Sequence, residues 1–139
     1  MTEMADKTYA SFEEFWPDYV RAHANKTNRQ LHFVGSTLAV ACVAGAAVFR
    51  KRWLLLAAPV CGYGFAWFGH FVFEKNKPAT FSHPLYSFKA DWVMWSKIAG
   101  GTMDAEVEKY TAEVAPPPAD VHAANGSVAT NGVADVTTN

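Results

Sequence analysis

The sequence predicts an all-α membrane protein built on a two-helix transmembrane hairpin, and three observations carry that expectation. Two runs free of charged side chains, Phe33 to Phe49 and Trp53 to Phe73, are separated only by Arg50-Lys51-Arg52. Aromatic residues recur at helical spacing before and after this pair. Of the 139 residues 50% are apolar, yet the mean hydropathy is only -0.03, so a strongly apolar middle is offset by polar ends.

Residues 1–10 show no periodicity and are expected to be frayed. Phe12, Phe15, Trp16, Tyr19 and His23 then fall on one helical face, and Ser11 with Glu14 three residues on is a capping-box signature. Pro17 either sits inside this N-terminal aromatic helix, where proline costs roughly 3 kcal/mol, or opens it at the first helical position. Asn25, Thr27 and Asn28 are cap and turn formers, which places a break after His23 and the next helix start at Thr27 or Asn28. In one continuous helix His23 and His32 would point about 180° apart; a turn between them lets the two rings converge.

Phe33 to Phe49 is at the lower limit for a bilayer span, and Trp53 to Phe73 meets the requirement of about 20 apolar residues. The short charged connection forces the two helices antiparallel, and Gly35, Gly45, Gly62, Gly64 and Gly69 suit close helix contact in a membrane. His32 lies about 18 residues before this turn and His70 about 18 after it, so both stand roughly 27 Å from it at 1.5 Å per residue. The two histidines are therefore expected at one level, at the end opposite the basic loop. Polar groups at membrane depth are costly enough to mark function.

Ala79 to Pro84 reads as a loop. From Tyr86 to Ile98, Phe88, Trp92 and Trp95 share a face, the pattern of an interfacial amphipathic helix lying in the headgroup plane, which Gly100-Gly101 ends. Asp104 can cap a short final helix that runs through Tyr110 to Val114. The helical membrane domain thus covers residues 11–114. Residues 115–139, opened by Pro116-Pro117-Pro118, have the composition of a disordered tail, so His122 is excluded from any site.

Several function classes drop out. A formal net charge of -1, with no basic stretch interleaved with aromatics, gives no basis for nucleic-acid binding. Cys42 and Cys61, each inside an apolar run, fit neither a disulfide framework nor a zinc site and read as small buried apolar residues. The acidic N-terminal stretch resembles neither a secretory signal nor a transit peptide.

What remains is a constellation of His23, His32 and His70 with Glu74, one helical turn beyond His70. Imidazole and carboxylate without thiolate suit a divalent metal such as Fe(II) or Zn(II), and Asn25 and Asn28 are placed to hold the rings. His83, beside Pro84, reads as a loop residue. A haem-binding module with His32 and His70 as axial ligands and a non-enzymatic membrane scaffold are the rival readings.

Two blocks of the sequence carry a resemblance. His23-x-Asn25-x-x-Asn28-x-x-x-His32 and Gly69-His70-x-x-Phe73-Glu74-Lys75-x-x-Pro78-Ala79 resemble the signature blocks of the Mpo-type 2-hydroxy acid dioxygenase family, integral membrane proteins, over roughly residues 12–98. The resemblance implies an Fe(II)-dependent dioxygenase of the endoplasmic reticulum. Such an enzyme shortens 2-hydroxy fatty acids by one carbon, in the α-oxidation that degrades phytosphingosine. It further implies that His23, His32 and His70 are the family's histidines, with Glu74 as its acidic partner; at the metal Glu74 is then expected as a catalytic group, either a fourth ligand or an orienting base. The characterised fungal type has extra apolar segments between the blocks, where this chain has one short turn. Arg21, Lys26, Arg29, Lys75, Lys77 and Lys89 flank the far ends of the spans, and the basic excess marks that side as cytosolic. Both termini and the site are accordingly expected to face the cytosol.

Overall fold

The computed structural model describes residues 3–113, and these are helical, in six α-helices, with a π turn and a 3-10 turn. The disordered-tail expectation for residues 115–139, with His122, falls outside the described residues. The α-helices are α1 (Glu3–Asp6), α2 (Phe12–Arg21), α3 (Lys26–Phe49), α4 (Trp53–Gly69), α5 (Pro84–Ala99) and α6 (Met103–Ala112). The stretch 1–10, expected to be frayed, contributes the helical turn α1 and the buried Tyr9 ring.

α2 begins at Phe12, capped by Ser11, whose Oγ accepts from Glu14 N–H at 3.3 Å while the Glu14 carboxylate reaches back to Ala10 N–H at 3.0 Å. Pro17 lies inside the helix rather than opening it. The lost backbone hydrogen bond is offset by burial of the neighbouring Phe15, Trp16, Tyr19 and Val20. Asn25 caps α3 by accepting from Thr27 N–H at 2.9 Å and Asn28 N–H at 3.3 Å, so the helix starts at Lys26, slightly earlier than the sequence indicates.

α3 and α4 form the antiparallel hairpin across Arg50-Lys51-Arg52. A Cβ on Gly35 would lie 2.9 Å from the Cys61 carbonyl oxygen and from Phe65 Cβ, so the backbones cross where only glycine allows it. The hairpin is not the core of a soluble fold: Val48 is 73%, Leu56 75% and Val60 71% exposed. Both helices, counting the π turn with the second, are long and apolar enough to cross a membrane. Cys42 and Cys61 are free and only half-buried.

The remaining helices make a cap over the open end of the hairpin. Its core gathers Tyr9, Phe15, Trp16, Tyr19, Val20, Ala90, Met94 and Met103. α5 turns Ser87, Ala90 and Met94 inward and leaves Leu85, Phe88 and Trp92 exposed; Trp95, expected to share the outward face of Phe88 and Trp92, instead stacks on Phe33 of α3 at 5.6 Å and donates to the Thr37 hydroxyl at 3.0 Å. α6 starts at Met103, and Asp104 pairs with Arg29 at 2.7 Å instead of capping it.

Candidate metal centre

Three imidazoles meet where the cap sits on the hairpin. His23 comes from the turn after α2, His32 from the second turn of α3, and His70 opens the π turn (His70–Glu74) that follows α4. The ring centroids are 4.7 Å (His23–His32), 4.5 Å (His23–His70) and 5.1 Å (His32–His70) apart, each pair nearly perpendicular. All three are buried, and their potential ligand nitrogens lie within 4.8 Å of one another.

The partners of the other ring nitrogens fix the tautomers. His23 Nδ1 lies 2.7 Å from the Tyr19 carbonyl oxygen, which can only accept, so Nδ1 carries the proton and Nε2 the lone pair. Asn76 donates through Nδ2 to the Ala22 carbonyl at 3.0 Å, which turns its Oδ1 to His70 Nδ1 at 2.7 Å as an acceptor. His32 Nδ1 faces the Asp91 carboxylate at 3.2 Å, and the same carboxylate accepts from the Tyr19 hydroxyl. The Nε2 atoms of His23 and His32 are buried and have no hydrogen-bond partner.

Burial first, then the neighbouring His32 and His70, holds the His23 pKa well below the usual histidine value, which favours the neutral ring. Burial and Asp91 push the Tyr19 phenol well up, so it stays a donor. Three imidazoles that converge through one nitrogen and are anchored through the other are the donor set of a divalent transition metal. The residues present fit such an ion. They do not fit haem held between His32 and His70, because His23, nearly equidistant from both, fills the plane a macrocycle would occupy.

Glu74 does not join the three rings. The expectation rested on an α-helical turn from His70, but the chain there closes its hydrogen bond five residues on, from Lys75 N–H to His70 O, and Lys75 leaves in the left-handed region at φ 55°. Glu74 is thereby carried to the α2–α3 turn, where its carboxylate accepts from Asn25 N–H at 2.7 Å and Asn28 Nδ2 at 3.5 Å. Asn25 and Asn28, expected to hold the rings, instead cap α3 and meet Glu74. Asn28 also packs so closely on Gly69 that a Cβ there would lie 2.0 Å from its Oδ1. His83 stays apart and packs on Tyr9 at 5.0 Å and Phe15 at 5.8 Å between ring centroids.

Sequence reasoning missed the residues that hold the rings, Tyr19, Asn76 and Asp91. It missed Arg29 as well, which is buried and clamps the His23 turn by donating to the carbonyls of His23 at 2.9 Å and Ala24 at 2.6 Å. Only Tyr19 left a trace, one turn from His23 on the same stripe.

A family model described as 2-hydroxy-palmitic acid dioxygenase Mpo1-like matches residues 9–103, a stretch that holds all three histidines and every partner of their Nδ1 atoms. No curated protein and no solved structure matches the chain.

Proposed function

The chain belongs to the 2-hydroxy-palmitic acid dioxygenase Mpo1-like family, and from that premise we propose that it is a membrane-embedded, Fe(II)-dependent dioxygenase of 2-hydroxy fatty acids. The observation that carries the reading is the convergence of three buried imidazoles whose Nδ1 partners aim the Nε2 lone pairs at one point. In this reading His23, His32 and His70 hold the ion, and Glu74 orders the turn that presents His23. Ferrous iron, when bound, supplies the redox chemistry that lets dioxygen react with an organic acid.

The overall reaction consumes one 2-hydroxy acid and one dioxygen and yields the acid one carbon shorter, carbon dioxide and water. The protein's own residues prepare for it. Tyr19, Asn76 and Asp91 hold the ring tautomers, and the aromatic cap keeps bulk water from the three rings. Asp91, itself held by the Tyr19 hydroxyl, keeps its carboxylate against His32 Nδ1. The hairpin spans the endoplasmic reticulum membrane in a eukaryotic cell, with the site on the cytosolic side as the basic flanks indicate. The reaction is the α-oxidation step of the route that degrades phytosphingosine.

Protein purified without oxygen, analysed for metal and then incubated with 2-hydroxypalmitate in air, tests the reading. The expected result is bound iron and pentadecanoic acid; absence of any shortened acid from iron-loaded protein, at every chain length tried, would remove it. Topology has its own reporter in Asn125-Gly126-Ser127, a glycosylation sequon that works only in the lumen. In a eukaryotic host it should stay unmodified, and an endoglycosidase-sensitive mass increase there would reverse the orientation.

A further inference from the structure

A groove of about 200 Å³ opens between α3, α4 and α5, and it starts at the histidine centre. His32 and Asp91 stand at one end of its lining, and His32 is 5% exposed with an unpartnered buried Nε2. Beyond Ser36 the lining is apolar or aromatic. Ala66, Gly62 and Ala58 follow one another by single turns on one face of α4, with Ala39 opposite on α3 and Phe88 and Trp92 along the rim. The titratable imidazole and carboxylate are thus confined to the end level with the rings, Tyr63 adds a phenol farther along, and the small residues lead from the rings toward the Arg50–Arg52 turn, into the depth of the bilayer.

We infer that this groove is the acyl-chain channel of the enzyme and that Gly62 and Ala58 measure the length of the substrate tail. The inference rests on the reading of the site as a 2-hydroxy acid dioxygenase. It adds where the tail lies and which residues limit it. A polar head at His32 and Asp91 leaves the tail no direction but along Ala66, Gly62 and Ala58, since the cap closes the other side with the packed rings of Phe15 and Tyr19. Gly62 lies two turns from His70, about 12 Å at 1.5 Å per residue. An extended eight-carbon chain spans roughly 9 Å from its bond lengths and angles and ends short of Gly62, whereas a sixteen-carbon chain passes both Gly62 and Ala58. A Cβ at Gly62 would meet only Ala39 Cβ, at 3.8 Å, so a larger side chain there projects into the channel without striking backbone. Gly64, one residue pair along the same helix, has nothing within 4 Å of its Cβ position and faces out, which makes it the matched control.

The experiment uses the full chain in vesicles with 2-hydroxypalmitic acid carrying a diazirine at its terminal carbon, and maps the crosslinks by mass spectrometry. Crosslinks are expected on Ala58, level with the end of the tail, and not on the outward Leu56 and Val60. In parallel, Gly62→Leu should lower turnover of 2-hydroxypalmitate relative to 2-hydroxyoctanoate by at least about tenfold, the scale set by excluding methylenes from a pocket, with Gly64→Leu unchanged. Ala58→Leu, one turn deeper, should lower turnover of acids of sixteen or more carbons while sparing shorter ones, which keeps the test alive if Gly62→Leu fails to fold. Crosslinks confined to the outer face, or an unaltered length preference in the folded variants, would show that bilayer lipid and not substrate fills the groove. Groove crosslinks without turnover would remove the dioxygenase reading and leave the channel; turnover with outer-face crosslinks would do the reverse.

Discussion

In the cap, Phe15, Tyr19, Val20 and Met94 are sealed from solvent, whereas in the hairpin Val48, Leu56 and Val60 turn their side chains outward. The cap is held by side chains that cross between elements: Trp16 Nε1 donates to Glu106 at 2.9 Å, Lys97 pairs with the same carboxylate at 2.7 Å, and Arg29 reaches Asp104. The hairpin is held by close backbone approach at Gly35 and by the Asn28 side chain packed on Gly69. One region uses the ordering principle of a water-soluble core, and the other that of helices in lipid. The histidine centre draws on both, with His23 from the cap and His32 and His70 from the hairpin, so the seam between the two environments is where function is assembled.

The strongest test of this division removes a ring. His70→Ala, His32→Ala or His23→Ala should each abolish stable iron binding while the protein remains folded in detergent, and metal analysis of purified variants checks it. Iron retained in full by any of the three would show that the rings do not share an ion.

A second test separates the regions. Phe15→Ala should destabilise the cap by about 3–5 kcal/mol, the cost of truncating a buried phenylalanine, without unfolding the hairpin, whose helices satisfy their own backbone within lipid. Amide exchange in vesicles should rise across α2, α5 and α6 and stay slow in the apolar turns of α3 and α4; uniform exchange throughout would show one cooperative unit instead of two.

Asn76→Ala and Glu74→Gln sharpen the seam itself. The first frees His70 Nδ1 and should weaken metal binding by roughly 10–100-fold, as loss of a partner of a ligating histidine does. The second loosens the Asn25 turn, costing about 1–3 kcal/mol of stability for a hydrogen bond to a charged group, while metal stoichiometry holds. Titration with Fe(II) under nitrogen, set beside thermal unfolding, distinguishes them, and the assignment of Glu74 to the turn fails if its substitution empties the site.

The smallest effect belongs to the rim of the cap. Lys26 and Asp104 pair at 3.4 Å with side chains 69% and 62% exposed, so Lys26→Ala should change stability by only about 0–1 kcal/mol. A larger loss in chemical denaturation would mean that the cap is anchored through this pair and not through buried Arg29.

How much of this was legible in the sequence follows from which contacts are local. The level of His32 and His70 could be read because a short turn and a fixed helical rise convert position into depth. His23 was within reach because Asn25 announces the turn. The partners of the rings were hidden, since Asp91 meets His32 across a packing contact that no spacing encodes, and Asn76 reaches His70 only because the helix widens there. The same widening explains why Glu74 was assigned to the rings: an interval of four means a shared face in an α-helix, and a π turn removes that meaning.

The turn at Arg50–Arg52 has a further consequence for how chains of this kind can vary in length. Arg50 ends α3 in the left-handed region at φ 54°, and from there both helices run without interruption to their histidines. Inserting one residue within either helix would move its ring by about 1.5 Å and swing it by about 100°, so the stretches between turn and site act as two matched rods that admit no change. Inserted sequence at the turn is different. A loop, or any even number of additional crossings, returns the chain to the same face and leaves the two rods aligned, so between His32 and His70 added membrane crossings are accommodated at that one point and come in pairs of helices.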